Sequence, residues 1–274
     1  MAGLFGFFNY EKEGPGVSKD APKKRSFFRF FELYFRNFWK LLVNNLVYFV
    51  VSLPILTNGL AQAGITNIAR SIAREKHSFG FADFKDTIKK NWKQGLALGI
   101  INTLIYALLI FDIVFLNKLK QSTFNTIYLG MIFAAFFIYT VMNFYMWTLM
   151  ITFRFKIKQI FTNSLKFVII NLKYNFLCFF ILVLVIALFL GILFLAQKFM
   201  IAYVLVPFLF ICIYPGFKAL LVQFCTFPCI KKCIIDPYYE EHPDADIEKR
   251  RSLGVLEEED DEDVFSDEDE EVND

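Results

Sequence analysis

The sequence predicts an all-α, polytopic transmembrane helical bundle, and three observations carry that prediction. The first is the length of its charge-free stretches. Residues 41–69, 121–153, 174–197 and 199–217 contain no charged side chain, and 94–117 contain only Asp112. About 20 mostly apolar residues are enough to cross about 30 Å of hydrocarbon. The second is composition: 56% of the 274 residues are hydrophobic, 20% are charged and 36 are Phe. Soluble domains run nearer half apolar and a quarter charged. The third is the uneven charge. Residues 236–274 hold 19 of the 27 acids and 3 of the 29 bases, so a body of net +18 precedes a tail of net −16. One such run of apolar residues fits a buried soluble helix. Four or five in a chain of this size leave too little sequence to cover them, so lipid must solvate them.

Taken in order, residues 1–25 form an N-terminal segment. MAGLFGFF lacks a basic leader and is followed by EKEGPG, so no cleaved signal is expected and the first hydrophobic helix serves as an uncleaved one. Residues 26–40 read as an amphipathic helix. Arg29, Glu32, Arg36 and Lys40 make one narrow polar stripe, and Phe27, Phe28, Phe30, Phe31, Tyr34 and Phe35 fill the rest. Such a helix lies in the membrane interface, rings among acyl chains and cations near anionic lipid. Its role is anchoring or docking to a cytoplasmic partner.

Helix 1 is expected over about 36–56 and helix 2 over about 58–75, joined where Pro54 removes a backbone donor and Gly59 permits a turn. Helix 2 is short or re-entrant. Its small residues (Gly59, Ala61, Ala63, Gly64, Ala69) suit close packing against other helices. Four clearer spans are expected at about 95–116, 124–151, 174–197 and 199–222. The sequence thus predicts six helices as three hairpins within a domain spanning 26–235. Three similar lead-ins support the hairpins. Arg36-Asn37-Phe38-Trp39-Lys40, Lys90-Asn91-Trp92-Lys93 and Asn171-Leu172-Lys173 each precede an apolar helix, which suggests an internal repeat.

Sidedness follows from the positive charges, which concentrate in cytoplasmic loops. Lys and Arg number 8 in residues 1–40, 7 in 70–93, 2 in 112–122, 5 in 154–173, 1 at position 198 and 6 in 218–274. Both termini and the loops at 70–93 and 154–173 are therefore expected inside, in a bacterial cytoplasmic membrane. From 236 the chain becomes an acidic tail. Its last 18 residues hold 13 acids, a block that repels itself and is expected to be disordered. Loop cations account for the basic body, so no nucleic-acid partner is expected.

Candidate functional residues are few. Asp112 is the one acid inside an expected span, either functional or an interfacial carboxylate near the outer end of its helix. Asn44, Asn45, Asn102 and Asn143 are buried polar side chains that either line a solute path or, the favoured reading, bond between helices. Cys225, Cys229 and Cys233 have a C-x3-C-x3-C spacing that is not a zinc-ribbon pair. They read as reduced apolar filler, as do Cys178 and Cys212. His77 and His242 are the only histidines, and no nucleophile triad, HExxH, P-loop or GxGxxG is present. Catalysis, metals and cofactors are thus not expected.

The residues GLFGFFNYEKEGPGVSKDAPKKR, FFRFFELYFRNFWKLL and the Asn45 and SLPILTNG region resemble the YesL-like family of bacterial membrane proteins of unknown function, as do Phe81, Phe84 and Lys85 with the following NWKQ. The likeness covers about residues 3–225, is most specific over 3–60, and leaves out the acidic extension. Members are typically encoded beside carbohydrate ABC-transporter or two-component regulatory genes. The resemblance therefore implies a non-enzymatic accessory or regulatory component of carbohydrate uptake or sensing, with permease subunits or a membrane sensor as partners. The polar residues above suggest the alternative of a small-solute transporter or channel. The topology predicts that single cysteines at positions 117–122 label from outside intact cells and those at 76–90 do not. The reverse pattern contradicts it.

Overall fold

The computed structural model describes residues 26–119, 122–196 and 199–242, and among these the chain is helical with no strand. The expected N-terminal segment 1–25 and the tail from 243 onward lie outside the described residues, whereas the first residues of the tail expected to be disordered from 236 form a short helix, Asp236–Glu241, with Tyr239 buried. The helices are α1 (Ser26–Arg36), α2 (Phe38–Ser52), α3 (Asn58–Ala73), α4 (Phe81–Lys118), α5 (Thr123–Thr152), α6 (Ile157–Ile170), α7 (Leu172–Leu195), α8 (Met200–Ile230) and α9 (Asp236–Glu241). A π-helical turn, Lys231–Ile235, joins α8 to α9.

Four helices are long and apolar enough to cross a membrane: α4, α5, α7 and the continuous run beginning in α8, with α7 the most apolar at a mean hydropathy of 3.3. Their outward faces carry Phe111, Phe180, Leu188, Leu195 and Val204, each more than half exposed. Bare apolar surface on this scale is solvated by lipid rather than water. The hairpin α2–α3 is shorter. Its helices have 15 and 16 residues, about 22 and 24 Å at 1.5 Å per residue, less than the roughly 30 Å of hydrocarbon. Helix α2 therefore ends at Ser52 rather than near 56, because Pro54 stops it and a 3-10 turn, Ile55–Thr57, reverses the chain. The Thr57 hydroxyl closes the turn by donating to the carbonyls of Val51 and Pro54, at 2.5 and 2.9 Å.

The three similar lead-ins share one structural device. At Asn37, Asn91 and Asn171 the backbone leaves helical geometry (φ −106, −117 and −108°), and an amphipathic helix gives way to an apolar one. Asparagine suits this position because its short amide competes with the backbone for hydrogen bonds. Asn37 and Asn91 donate from Nδ2 to the carbonyl four residues back, Leu33 and Thr87, both at 3.0 Å. Asn171 instead donates to the Tyr145 hydroxyl at 2.8 Å and the Cys225 carbonyl at 3.2 Å. At Asn91 the interruption is a kink within one 38-residue helix, so the expected third span begins not at 95 but within an α4 that starts at Phe81.

Helix α3 sits centrally and packs against α2, α4, α5 and α8. Against α4 the approach is backbone to backbone. A Cβ on Gly59 would lie 2.6 Å from the Gly99 Cα, and one on Gly99 would lie 2.7 Å from the Gly59 Cα. Gly95 and Gly99 form a small-xxx-small face that admits this approach, as tight helix packing in lipid requires. Helix α8 runs on to Ile230, past the expected 222, and carries Pro207, Pro215 and Pro228. Proline removes the i→i−4 bond to the carbonyl four residues before it, and two asparagines donate to the carbonyls next along the chain. Asn45 Nδ2 donates to the Cys212 carbonyl at 2.6 Å, three residues before Pro215. Asn171 makes the same contact with Cys225, three residues before Pro228.

At one end of the bundle α1 lies across α8, Phe30 meeting Phe217 and Phe224 edge-on. Arg29 and Arg36 both pair with Glu75, at 2.7 and 3.6 Å, tying α1 to the loop after α3. Phe27, Phe28 and Phe35 remain exposed on its outer side.

The packing gives a direct stability test. Gly59→Ala in detergent-solubilised protein is expected to cost about 1–3 kcal/mol through overpacking, read as a lower thermal midpoint. Gly191→Ala, where nothing lies within 4 Å, is expected to stay within about 0.5 kcal/mol of the parent. Equal midpoints for the two variants contradict the close α3–α4 approach.

Candidate functional site: a polar cavity inside the bundle

Helices α2, α3, α4, α5 and α8 converge on a cavity of about 220 Å³. Tyr48 comes from α2, Gln62 and Thr66 from α3, Tyr106 from α4, Thr140, Asn143 and Trp147 from α5, and Tyr214, Lys218 and Gln223 from α8. Apolar side chains such as Ile65, Phe144 and Val222 complete the wall. Counted by helical rise from the bundle end holding Asn37, Ala73, Asn91, Thr152 and Ile230, these residues lie roughly 8 to 24 Å deep. The cavity therefore lies within the length of the bundle rather than at its end.

Local sequence explains how each polar group points inward. On α8, Tyr214, Lys218 and Val222 recur every four residues, and Pro215, Ala219 and Gln223 form the adjoining row, so both rows face one side. On α5, Thr140, Asn143 and Trp147 have the same i, i+3, i+7 relation. Two hydrogen-bonded groups brace the wall. In the first, Asn102 Oδ1 accepts from the Tyr139 hydroxyl at 2.9 Å and from Asn143 Nδ2, and Asn143 Oδ1 accepts from Trp147 Nε1 at 2.9 Å. In the second, Gln62 Nε2 donates to the Tyr48 hydroxyl at 2.6 Å, which donates to Asn58 Oδ1 at 3.3 Å.

Gln223 is bonded at one end only. Its Nε2 donates to the Thr148 hydroxyl at 2.6 Å, whereas the buried Oε1 has no partner. Lys218 has no ion pair among the described residues. Among those residues the lining contains no carboxylate, histidine or cysteine. The cavity thus offers aromatic faces, amides, hydroxyls and one cation. That donor set suits noncovalent binding of a small polar molecule.

The sequence-predicted polar residues divide. Asn143 lines the cavity and Asn102 braces it from behind. Asn45 bridges to α8 and is 1% exposed. Asn44 is equally buried, donating to the Lys40 carbonyl at 2.7 Å beside Gly80. Asp112 is half-buried on α4, six residues beyond Tyr106 and roughly 9 Å farther along the helix, and is no part of the wall. Cys229 and Cys233 approach to 4.0 Å, but no group of three potential metal ligands occurs among the described residues.

Sequence reasoning missed Lys218, Gln62, Gln223 and the three tyrosines. Lys218 was legible: it is the lone cation in an otherwise charge-free stretch from 199 to 230, and an intramembrane charge points to function. Counting it with the cytoplasmic tail hid it. The tyrosines gave no such signal, because their inward facing depends on helix rotation.

Residues 41–113, roughly a quarter of the chain, match a family model described as a protein of unknown function, DUF624. The matched segment supplies the α2–α3 hairpin and most of α4, and with them Tyr48, Gln62, Thr66 and Tyr106 of the cavity. No curated protein and no solved structure matches the chain.

Proposed function

We propose that this protein is a YesL-like multi-pass protein of the bacterial cytoplasmic membrane that binds a small polar solute in its intramembrane cavity, as a transporter or as the sensing part of an uptake system. The observation that carries this reading is the cavity itself: polar side chains from five helices face one partly open space within the bundle, and lipid would offer them no hydrogen bonds there. Its volume of about 220 Å³ is below the roughly 300–1,000 Å³ of sites for drug-sized ligands, so the occupant is small. In this reading α2 and α3 complete a six-helix membrane domain. They lean on their neighbours to bury their short reach, and both termini face the cytoplasm.

A second reading, an accessory or regulatory subunit of a carbohydrate ABC importer, is supported by two features. Aromatic rings beside amides suit sugar faces and hydroxyls, and the outer side of α1 presents exposed rings at the cytoplasmic end. Purification in mild detergent separates the two: recovery with permease subunits favours the accessory role, and recovery alone favours a protein that works by itself.

Trp147 reports on the cavity directly. In a Trp39→Phe/Trp92→Phe background it is the only tryptophan. Glucose, glycerol, glucuronate and inorganic phosphate are each titrated against the protein in nanodiscs. The proposal expects a saturable fluorescence change with at least one of them, abolished when Ala219→Phe fills the cavity. No response to any, or a response untouched by the filled cavity, contradicts it.

A further inference from the structure

We infer that the cavity is built for an anionic solute bearing a free hydroxyl, with Lys218 pairing its carboxylate or phosphate and Gln223 Oε1 accepting from its hydroxyl. The inference rests on the reading of the cavity as a solute site and names the class of its ligand.

Lys218 is the only ionisable cation or carboxylate in the wall, 12 residues from the end of α8 at Ile230, roughly 18 Å along the helix. An isolated cation at that depth is costly unless it is paired. The acids of the described residues do not supply the partner. Glu75 is taken by Arg29 and Arg36, Asp236 by Lys231, and Asp83 by the Ser78 hydroxyl and the Phe79 amide. Glu32, Asp86, Glu240 and Glu241 lie on α1, the first turns of α4 and α9, at the bundle end. Asp112 lies outside the wall. With no internal counter-ion, a bound monoanion would leave the site neutral.

Gln223 is the independent observation. It is 1% exposed, and its Oε1 is buried without a partner. A buried acceptor left unmade costs about 1–3 kcal/mol, which a ligand hydroxyl would recover by donating to it. Gln223 lies five residues after Lys218, roughly 8 Å along the helix axis. Anion and hydroxyl are therefore expected several bonds apart on one small molecule. Trp147, Tyr106 and Tyr214 supply flat apolar faces for its carbon skeleton.

The test uses Trp147 fluorescence in the same single-tryptophan protein. Glucuronate and glucose differ by one carboxylate, and inorganic phosphate serves as the bare anion. Nanodiscs of phosphatidylcholine alone or with phosphatidylglycerol distinguish a soluble anion from a lipid headgroup. Glucuronate is expected to bind more tightly than glucose. Lys218→Met should weaken glucuronate roughly tenfold or more, as loss of a charge-assisted bond does, and Lys218→Arg should restore it. A headgroup source appears instead as a Lys218-dependent response to phosphatidylglycerol that added glucuronate reverses. Because the cation has no ion-pair partner among the described residues, ligand-free Lys218→Met should unfold at a temperature no lower than the parent. This separates a binding role from a structural one. Binding that is indifferent to Lys218→Met, or a variant that unfolds early, overturns the inference. If glucose or glycerol binds and the anions do not, the inference falls and the solute reading stands. If no probe binds, both fall.

Discussion

Hydrocarbon offers no hydrogen bonds, and the structure follows from that constraint. Each backbone or side-chain polar group carried into the apolar slab must find its partner within the protein. Uninterrupted helices meet the requirement for the backbone, which explains α5 and α7. Wherever the helix is broken, a side chain has to substitute. The three interruptions at Asn37, Asn91 and Asn171 therefore carry a residue whose amide can reach a neighbouring carbonyl. The proline turns of α8 are met in the same way by Asn45 and Asn171.

These repairs position the cavity. Asn45 ties α2 to α8 beside Pro215, and a Cβ on Gly216 would lie 2.7 Å from its Oδ1, so this contact depends on glycine. Pro215 lines the cavity between Tyr214 and Lys218. On the opposite side, Gly59 and Gly99 let α3 and α4 touch, which places Gln62 and Tyr106 on one wall. Asn143, Trp147, Gln62 and Tyr48 of the wall are held by hydrogen bonds, whereas Lys218 has no ion pair among the described residues and Gln223 is bonded at one end. A stable wall with two unmet polar positions is what distinguishes this cavity from an ordinary packing defect.

Much of the fold was legible in the sequence because lipid solvation acts on runs of residues. Charge-free stretches located α4, α5, α7 and α8, and the stripe of 26–40 marked an amphipathic helix. The Asn-containing lead-ins proved to be the helix breaks. Boundaries were less legible. The Lys90–Lys93 lead-in was expected to precede a span starting near 95, yet it lies inside one kinked helix, because a single Asn interrupts the bonding without ending the helix. The cavity was the least legible part. Asn102 and Asn143 were visible as polar residues in apolar segments. Their convergence with Tyr48, Gln62 and Gln223 depends on how five helices rotate against one another, and hydropathy carries no information about that.

The central claim is that the exposed apolar faces are solvated by acyl chains while polar groups are kept inside. Spin labels at Phe111, Phe180, Leu188 and Val204, with one at Ala219 in the cavity wall, test it most directly in reconstituted bilayers. The account predicts that oxygen, which concentrates in lipid, relaxes the four outer labels far more strongly than a water-soluble nickel chelate does. At position 219 the advantage of oxygen should largely disappear. Outer labels relaxed mainly by the nickel chelate would contradict the account.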